Sequence, residues 1–159
     1  MKTIGLIGGI TWYSTMEYYR ILNELVNKRL GGAHSAKVII SAVDFAEIKV
    51  LTEQLNWYGL ATIMCIEARK IETAGADCLL IGANTMHNVA DEVQAAVNIP
   101  VLHIVDTVAR AIQRKELKKV ALLGTAYTMQ LDFYTNRLLQ NGITVIIPLA
   151  LRLSYMIFS

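Results

Sequence analysis

The sequence has 159 residues, of which 54% are hydrophobic, and a formal net charge of +2. No apolar run approaches the roughly 20 uncharged residues that a membrane helix needs, and the N-terminus MKTIGLIGGI lacks the pattern of a signal peptide. The basic residues form no stripe with interleaved aromatics, which argues against a nucleic-acid partner. We therefore expect a cytoplasmic protein with a large buried core that binds neither nucleic acid nor membrane.

Segments with strand character alternate with segments of helical periodicity along the chain. The predicted strands are the apolar runs KTIGLIG, AKVIISAVD, CLLIGA, PVLHI, KKVALLGT and ITVIIP. The predicted helices are STMEYYRILNELVNKRLGG, LNWYGLATIMCIEARKIETAG, HNVADEVQAAVN, DTVARAIQRKE and LDFYTNRLLQNG. In the first of these, Ser14 and Glu17 fit a capping box.

Strands separated by helices indicate parallel βαβ units with right-handed crossovers. We predict an α/β fold in which a parallel sheet is flanked by helices. The alternation begins again after PVLHI, from about residue 105. The two cysteines, Cys65 and Cys78, lack the spacing of metal ligands and read as small buried apolar residues, so no metal site is predicted.

Ligands of open parallel sheets bind beyond the carboxyl ends of the strands. That rule selects the five loops at residues 8–15, 44–49, 83–87, 103–107 and 125–128. The first loop is rich in glycine and leads into a helix N-terminus, whose amides can hold an anion, and Ser14 and Thr15 add hydroxyl groups. It does not match GxGxxG, so a dinucleotide is not supported. These loops together favour a small anionic ligand.

Each of these loop residues also has a structural interpretation. Asn84 and Thr85 are typical helix caps, and His87 could be an ordinary polar residue of a first helical turn. His103 falls within a predicted strand, where a hydrogen-bonded core histidine is the simpler interpretation. A flavodoxin-like or nucleotide-binding domain would fit the strand–helix alternation, but it explains none of the loop residues.

Several motifs occur together and in order along the chain: KTIGLIGG, W-x-S-T, HSAKVIISAVDFAEI, NTMH and VALLGTAYTM followed by DFY. In these the sequence resembles the cofactor-independent aspartate/glutamate racemases, from Met1 to about Pro148. The resemblance implies two similar α/β lobes with the active site between them, here a first lobe over residues 1–104 and part of a second lobe with a divergent tail over 105–159. It implies no cofactor, an acidic amino acid as the small-molecule substrate, and a homodimer. It also implies racemisation in which a pair of cysteines moves the α-proton.

The resemblance assigns substrate-binding roles to Gly8, Gly9, Ile10, Trp12, Ser14, Thr15, Thr52, Asn84, Thr85 and Thr125. Asn84, Thr85 and Thr125 would hold the carboxylates, and Thr52 stands where the family often has glutamine. The first family cysteine belongs immediately before Asn84, but the residue there is Ala83. The GCTE-like motif of the second cysteine does not occur, and the tail after Pro148 departs from the family pattern. We therefore expect a truncated chain.

Two functional hypotheses follow from this pattern. The first is an aspartate/glutamate racemase that acts without a cofactor, with Ala83 at the vacated position of an acid/base cysteine. The second is a non-catalytic remnant that binds an acidic amino acid or associates with another chain.

Overall fold

This computed structural model divides into two units. The first unit, Met1–Leu102, contains a three-stranded parallel sheet at its centre. Its strands are β1 (Thr3–Gly8), β2 (Lys37–Ala42) and β3 (Cys78–Ile81), in the order β2-β1-β3. The structure describes residues 1–147, so the divergent tail predicted after Pro148 lies outside the described residues.

Helices connect and cover these strands. They are α1 (Trp12–Leu30), α2 (Phe45–Glu53), α3 (Trp57–Thr73), a 3-10 helix (Thr85–Val89) and α4 (Ala90–Ala96). The sequence spacing of α3 explains its packing, because Leu60, Met64, Ala68 and Ile71 recur on one face and all four are buried. They form a core cluster with side chains from the strands, such as Ile7 of β1. Helix α1, by contrast, has no buried residue along its length.

The second unit begins at His103 and contains a separate two-stranded parallel sheet. Its elements are α5 (Ile104–Gln113), β4 (Lys119–Ala121), α6 (Ala126–Gln130), α7 (Asp132–Gln140) and β5 (Thr144–Ile146). Its core cluster includes Val105, Leu138 and Ile143, which are almost completely buried. These two units confirm the predicted α/β class with parallel sheets flanked by helices, while the lobes at 1–104 and 105–159 stay a prediction. None of the helices in residues 1–147 has the length and apolarity needed to cross a bilayer.

Three local predictions were wrong. The segment PVLHI forms no strand, because only Val101 pairs with Leu79 in an isolated bridge and His103 already caps α5, with its Nδ1 3.2 Å from the amide of Val105. The capping box is absent, since α1 begins at Trp12 and Ser14 lies inside it. The helix predicted from His87 starts earlier, as a 3-10 turn at Thr85.

The pairing of Asp106 with Arg137 should make the second unit sensitive to acid. Nε and Nη2 of Arg137 lie 2.7 and 2.9 Å from the two carboxylate oxygens of Asp106, joining α5 to α7. These hydrogen bonds lower the pKa of Asp106 from its usual 3.8, although partial burial opposes them. A carboxylate whose folded pKa is depressed stabilises the fold above its unfolded pKa, and this stabilisation is lost as the pH falls through the folded pKa.

We therefore expect Asp106→Asn to destabilise the second unit at neutral pH and to lose less further stability below about pH 4 than the wild type does. Urea unfolding, followed by NMR through the methyl groups of Leu138 and Ile143, measures this. Asp132→Asn, which removes an exposed carboxylate at the start of α7, is the control. Identical acid dependence in the wild type and Asp106→Asn would contradict the expectation.

Candidate functional site

The loop between β1 and α1 is held close to the end of β2. The carbonyl oxygen of Gly8 accepts a hydrogen bond from the amide of Val43 at 3.1 Å. Gly9 has φ +87°, and a Cβ atom placed there would lie 2.2 Å from the carbonyl oxygen of Val43. Only glycine fits this position, because any other residue would combine a left-handed conformation with a backbone clash. The peptide bond between Ile10 and Thr11, in the same loop, is cis.

Two hydroxyl groups of α1 bind the surrounding backbone. The Oγ atom of Ser14 lies 2.8 Å from the carbonyl oxygen of Thr11 and 2.7 Å from that of Gly82. The Oγ1 atom of Thr15 accepts a hydrogen bond from the amide of Gly9 at 2.8 Å and lies 3.5 Å from the carbonyl oxygen of Thr11. Ser14 thereby joins the first loop to the residue before Ala83.

The segment after β3 is fixed by a buried histidine. Nδ1 of His87 lies 2.8 Å from the carbonyl oxygen of Ala83, and the amide of His87 donates to the carbonyl oxygen of Asn84 at 3.0 Å. A carbonyl oxygen only accepts, so Nδ1 of His87 carries the hydrogen of this bond. His87 is only 3% exposed. Its role is therefore to hold the backbone at position 83, which the spacing of four residues in a helical turn could have suggested.

Asn84 and Thr85 present polar side chains at this same edge of the sheet. Asn84 is exposed and Thr85 is half-buried. Asn84 has helical backbone angles and makes no side-chain capping bond, so its interpretation as a helix cap is wrong. Within residues 1–147 neither side chain forms a hydrogen bond, which leaves an amide and a hydroxyl available to a ligand.

Neither cysteine is part of this edge. Cys78 begins β3, whereas Ala83 follows the end of that strand, and Cys65 lies in α3 with Sγ 3.5 Å from the carbonyl oxygen of Glu92. Burial raises the pKa of both thiols, so both are protonated at neutral pH. The part of the chain that the structure describes contains no cluster of three or more residues suited to a metal ion.

The remaining predicted binding residues lie in three different settings. Trp12 is the first residue of α1, 54% exposed and stacked on Tyr13 with ring centroids 3.8 Å apart. The Oγ1 atom of Thr52 donates to the carbonyl oxygen of Ile48 within α2. Thr125 belongs to the second unit, where its Oγ1 accepts from the amide of Thr128 and caps α6. Their substrate-binding roles stay predictions.

Glycine, hydroxyl and amide groups lie beyond the carboxyl edge of this open parallel sheet, which is where α/β proteins of this architecture bind their ligands. The profile of the Asp/Glu/hydantoin racemase family matches residues 7–157. The chain belongs to this family, which confirms the resemblance seen in its motifs.

Individual relatives agree with this assignment. The chain is 38% identical over 79 residues to the broad specificity amino-acid racemase RacX of Bacillus subtilis (strain 168), a match that covers 50% of this chain and 34% of RacX. A candidate Asp/Glu racemase from Yersinia pestis has a similar structure, with a TM-score of 0.90 and 46% identity over 93% of this chain and 65% of that one. An aspartate racemase homologue from Pyrococcus horikoshii OT3 gives a TM-score of 0.86 and 36% identity, covering 98% and 68%. The chain thus spans about two thirds of these structures and one third of RacX.

Proposed function

We propose that this chain binds an acidic amino acid at the carboxyl edge of its first sheet and does not racemise it by the two-thiol mechanism. The observation that carries the proposal is the pair Asn84 and Thr85, whose side chains follow a buried strand without hydrogen bonds to residues 1–147. Both groups are accessible to a ligand, because Asn84 is exposed and Thr85 is half-buried. Membership of the racemase family supports an amino acid as that ligand.

The chemistry of the edge favours a carboxylate. The side-chain amide of Asn84 and the hydroxyl of Thr85 both supply hydrogen-bond donors. The first amides of α1 have no intrahelical partner, and Thr11 makes no side-chain capping bond to them. A helix N-terminus also carries partial positive charge, which attracts an anion.

The same site lacks the acid/base group that the family resemblance requires. Ala83 can neither accept nor deliver a proton. The sequence contains two cysteines, and Cys78 is five residues from Ala83 along the chain, ~16 Å if the segment is extended. Raised pKa values make both thiols poor bases at neutral pH. Retained binding groups without a thiolate support binding without racemisation.

Binding should depend on Asn84 and Thr85. We expect isothermal titration with L-aspartate or L-glutamate to show binding to the wild type. Asn84→Ala or Thr85→Ala should weaken it about 10- to 100-fold, the effect of losing a hydrogen bond to a charged group. Asn136→Ala, on the exposed surface of α7, is the matched control and should leave the affinity unchanged. Equal affinity of all three variants would refute the role of this edge.

Proton exchange tests the catalytic half of the proposal. Proton NMR of L- and D-aspartate and glutamate in D2O, incubated with the protein, should show no loss of the α-proton signal beyond that in a heat-inactivated sample. Loss of that signal would favour the other hypothesis, an active racemase-family enzyme with a base other than a thiol at position 83. Under either outcome, binding is measured separately by titration.

The homodimer and the cytoplasmic location that follow from the sequence remain predictions. The exposed apolar residues Trp12, Met16 and Tyr19, on one side of α1, support association with another chain. Sedimentation velocity tests this, and a monomer at all concentrations would contradict the dimer.

A further inference from the structure

Ser14 has no proton left for a bound carboxylate. Its hydroxyl group carries one hydrogen, and its two neighbours, at 2.8 and 2.7 Å, are the carbonyl oxygens of Thr11 and Gly82, which only accept. Both distances are ideal for an O–H···O bond. Whichever carbonyl takes the proton, a ligand carboxylate would have to displace a backbone bond to receive it.

The bond to Gly82 is one of several that fix successive peptide groups after β3. The amide of Gly82 donates to the carbonyl oxygen of Ile7 at 2.8 Å, and its own carbonyl oxygen faces Ser14. The carbonyl oxygen of Ala83 is held by Nδ1 of His87, and that of Asn84 by the amide of His87. Three consecutive carbonyl groups therefore each have a partner. Ser14 is the partner that comes from a different element, the first turn of α1, 68 residues earlier in the chain.

We infer that Ser14 is a positioning residue, which ties α1 to Gly82 and thereby holds Ala83, Asn84 and Thr85 in one conformation, rather than a ligand of the substrate. The part of this inference that concerns substrate binding rests on the proposed function. The part that concerns the conformation of the ligand-free loop does not. The benefit is preorganisation, because groups already held in their binding geometry lose less freedom when the ligand arrives.

Thr15 differs from Ser14 in whether its hydroxyl hydrogen is available to a ligand. Its Oγ1 atom accepts from the amide of Gly9, and among residues 1–147 its own hydrogen has one acceptor within reach, the carbonyl oxygen of Thr11 at 3.5 Å. A bond of that length is weak, so the Thr15 hydroxyl can turn towards a carboxylate at little cost. Of the two adjacent hydroxyl groups, Thr15 is thus the available donor.

Backbone dynamics of the ligand-free protein test the positioning role. We expect the ¹⁵N order parameters of Ala83 and Asn84 to be near the rigid value of about 0.85 in the wild type and to fall toward about 0.6 in Ser14→Ala. Ser14→Thr, which keeps the hydroxyl, should restore them. Thr62→Ala is the control, because it removes a hydroxyl bonded to a carbonyl oxygen on the exposed face of α3 and should change neither value.

Titration with L-aspartate on the same samples separates a positioning residue from a ligand. We expect Ser14→Ala to weaken binding about 2- to 10-fold together with the fall in order parameters, and Ser14→Thr to restore both. Weaker binding with unchanged order parameters would identify Ser14 as a direct ligand and overturn the inference. Unchanged order parameters with unchanged binding would overturn it as well.

If aspartate does not bind even to the wild type, the proposed function fails, but the order parameters still decide the role of Ser14. If Ser14→Ala does not fold, Ser14→Cys takes its place, since its thiol is of similar size but too weak a donor to replace the hydroxyl. A folded Ser14→Cys in which Ala83 and Asn84 stay as rigid as in the wild type would overturn the inference.

Discussion

Replacing Gly9 by alanine is expected to lower the free energy of unfolding of the first unit by about 2–4 kcal/mol. Two costs add at this position. A residue with a side chain pays for the left-handed conformation at φ +87°, and its Cβ atom would lie 2.2 Å from the carbonyl oxygen of Val43. The second cost cannot be relieved by a rotamer change, because the opposing atom belongs to the backbone.

Gly75→Ala separates the two costs. Gly75 has a similar φ of +93°, but a Cβ atom there would meet nothing within 4 Å. The Gly75→Ala substitution should therefore lower the free energy of unfolding by only about 1–2 kcal/mol. Both tryptophans, Trp12 and Trp57, lie in the first unit, so urea unfolding followed by tryptophan fluorescence reports on this unit alone. Equal destabilisation by the two substitutions would show that the clash of a Cβ atom at position 9 with the backbone of Val43 does not contribute to the loss of stability.

Restoring a thiol by Ala83→Cys should create proton exchange without racemisation. A thiolate beside Asn84 can remove the α-proton of one enantiomer and return a solvent deuteron to the same face. General-base catalysis of this kind is worth about 10²- to 10⁴-fold over the wild type. Inversion needs a second acid on the opposite face, and Cys78, on the strand that leads to position 83, does not supply it.

The measurement combines NMR in D2O with chiral chromatography of the recovered aspartate. We expect the α-proton signal of one enantiomer to decay while its optical purity is kept. Ala83→Ser is the matched control, since it adds a group of similar shape that does not ionise near neutral pH. Full racemisation by Ala83→Cys would show that the chain supplies a second acid on the opposite face, and would contradict this expectation.

The sequence was most informative where a pattern repeats over many residues. The helical segment LNWYGLATIMCIEARKIETAG predicted α3, and the apolar run KTIGLIG predicted β1. The helices α2 and α6 were missed because their first residues directly follow predicted strands and were assigned to the loops 44–49 and 125–128.

The site was predictable in location but less so in its roles. The rule for parallel sheets selected the loops at Gly8 and Ala83, and the structure brings these two loops together. The rule could not predict that the Ser14 hydroxyl faces Gly82, because a hydrogen bond between residues 68 positions apart leaves no local pattern in the sequence. The capping box at Ser14 was wrong because α1 begins two residues earlier, at Trp12, so Ser14 lies inside the helix and its hydroxyl faces carbonyl oxygens.

Helix α1 is held to the rest of the first unit more firmly at its first turn than along the rest of its length. None of its 19 residues is buried, whereas its first turn carries the bonds of Ser14 and Thr15 to the backbone. Elements with little buried apolar surface open at low free energy, often as a cooperative unit. Opening of α1 would release Gly82 and loosen Asn84 at the same moment, so a ligand held at Asn84 should slow amide hydrogen exchange throughout α1. The least buried helix of the first unit would then report most sensitively on whether the site is occupied.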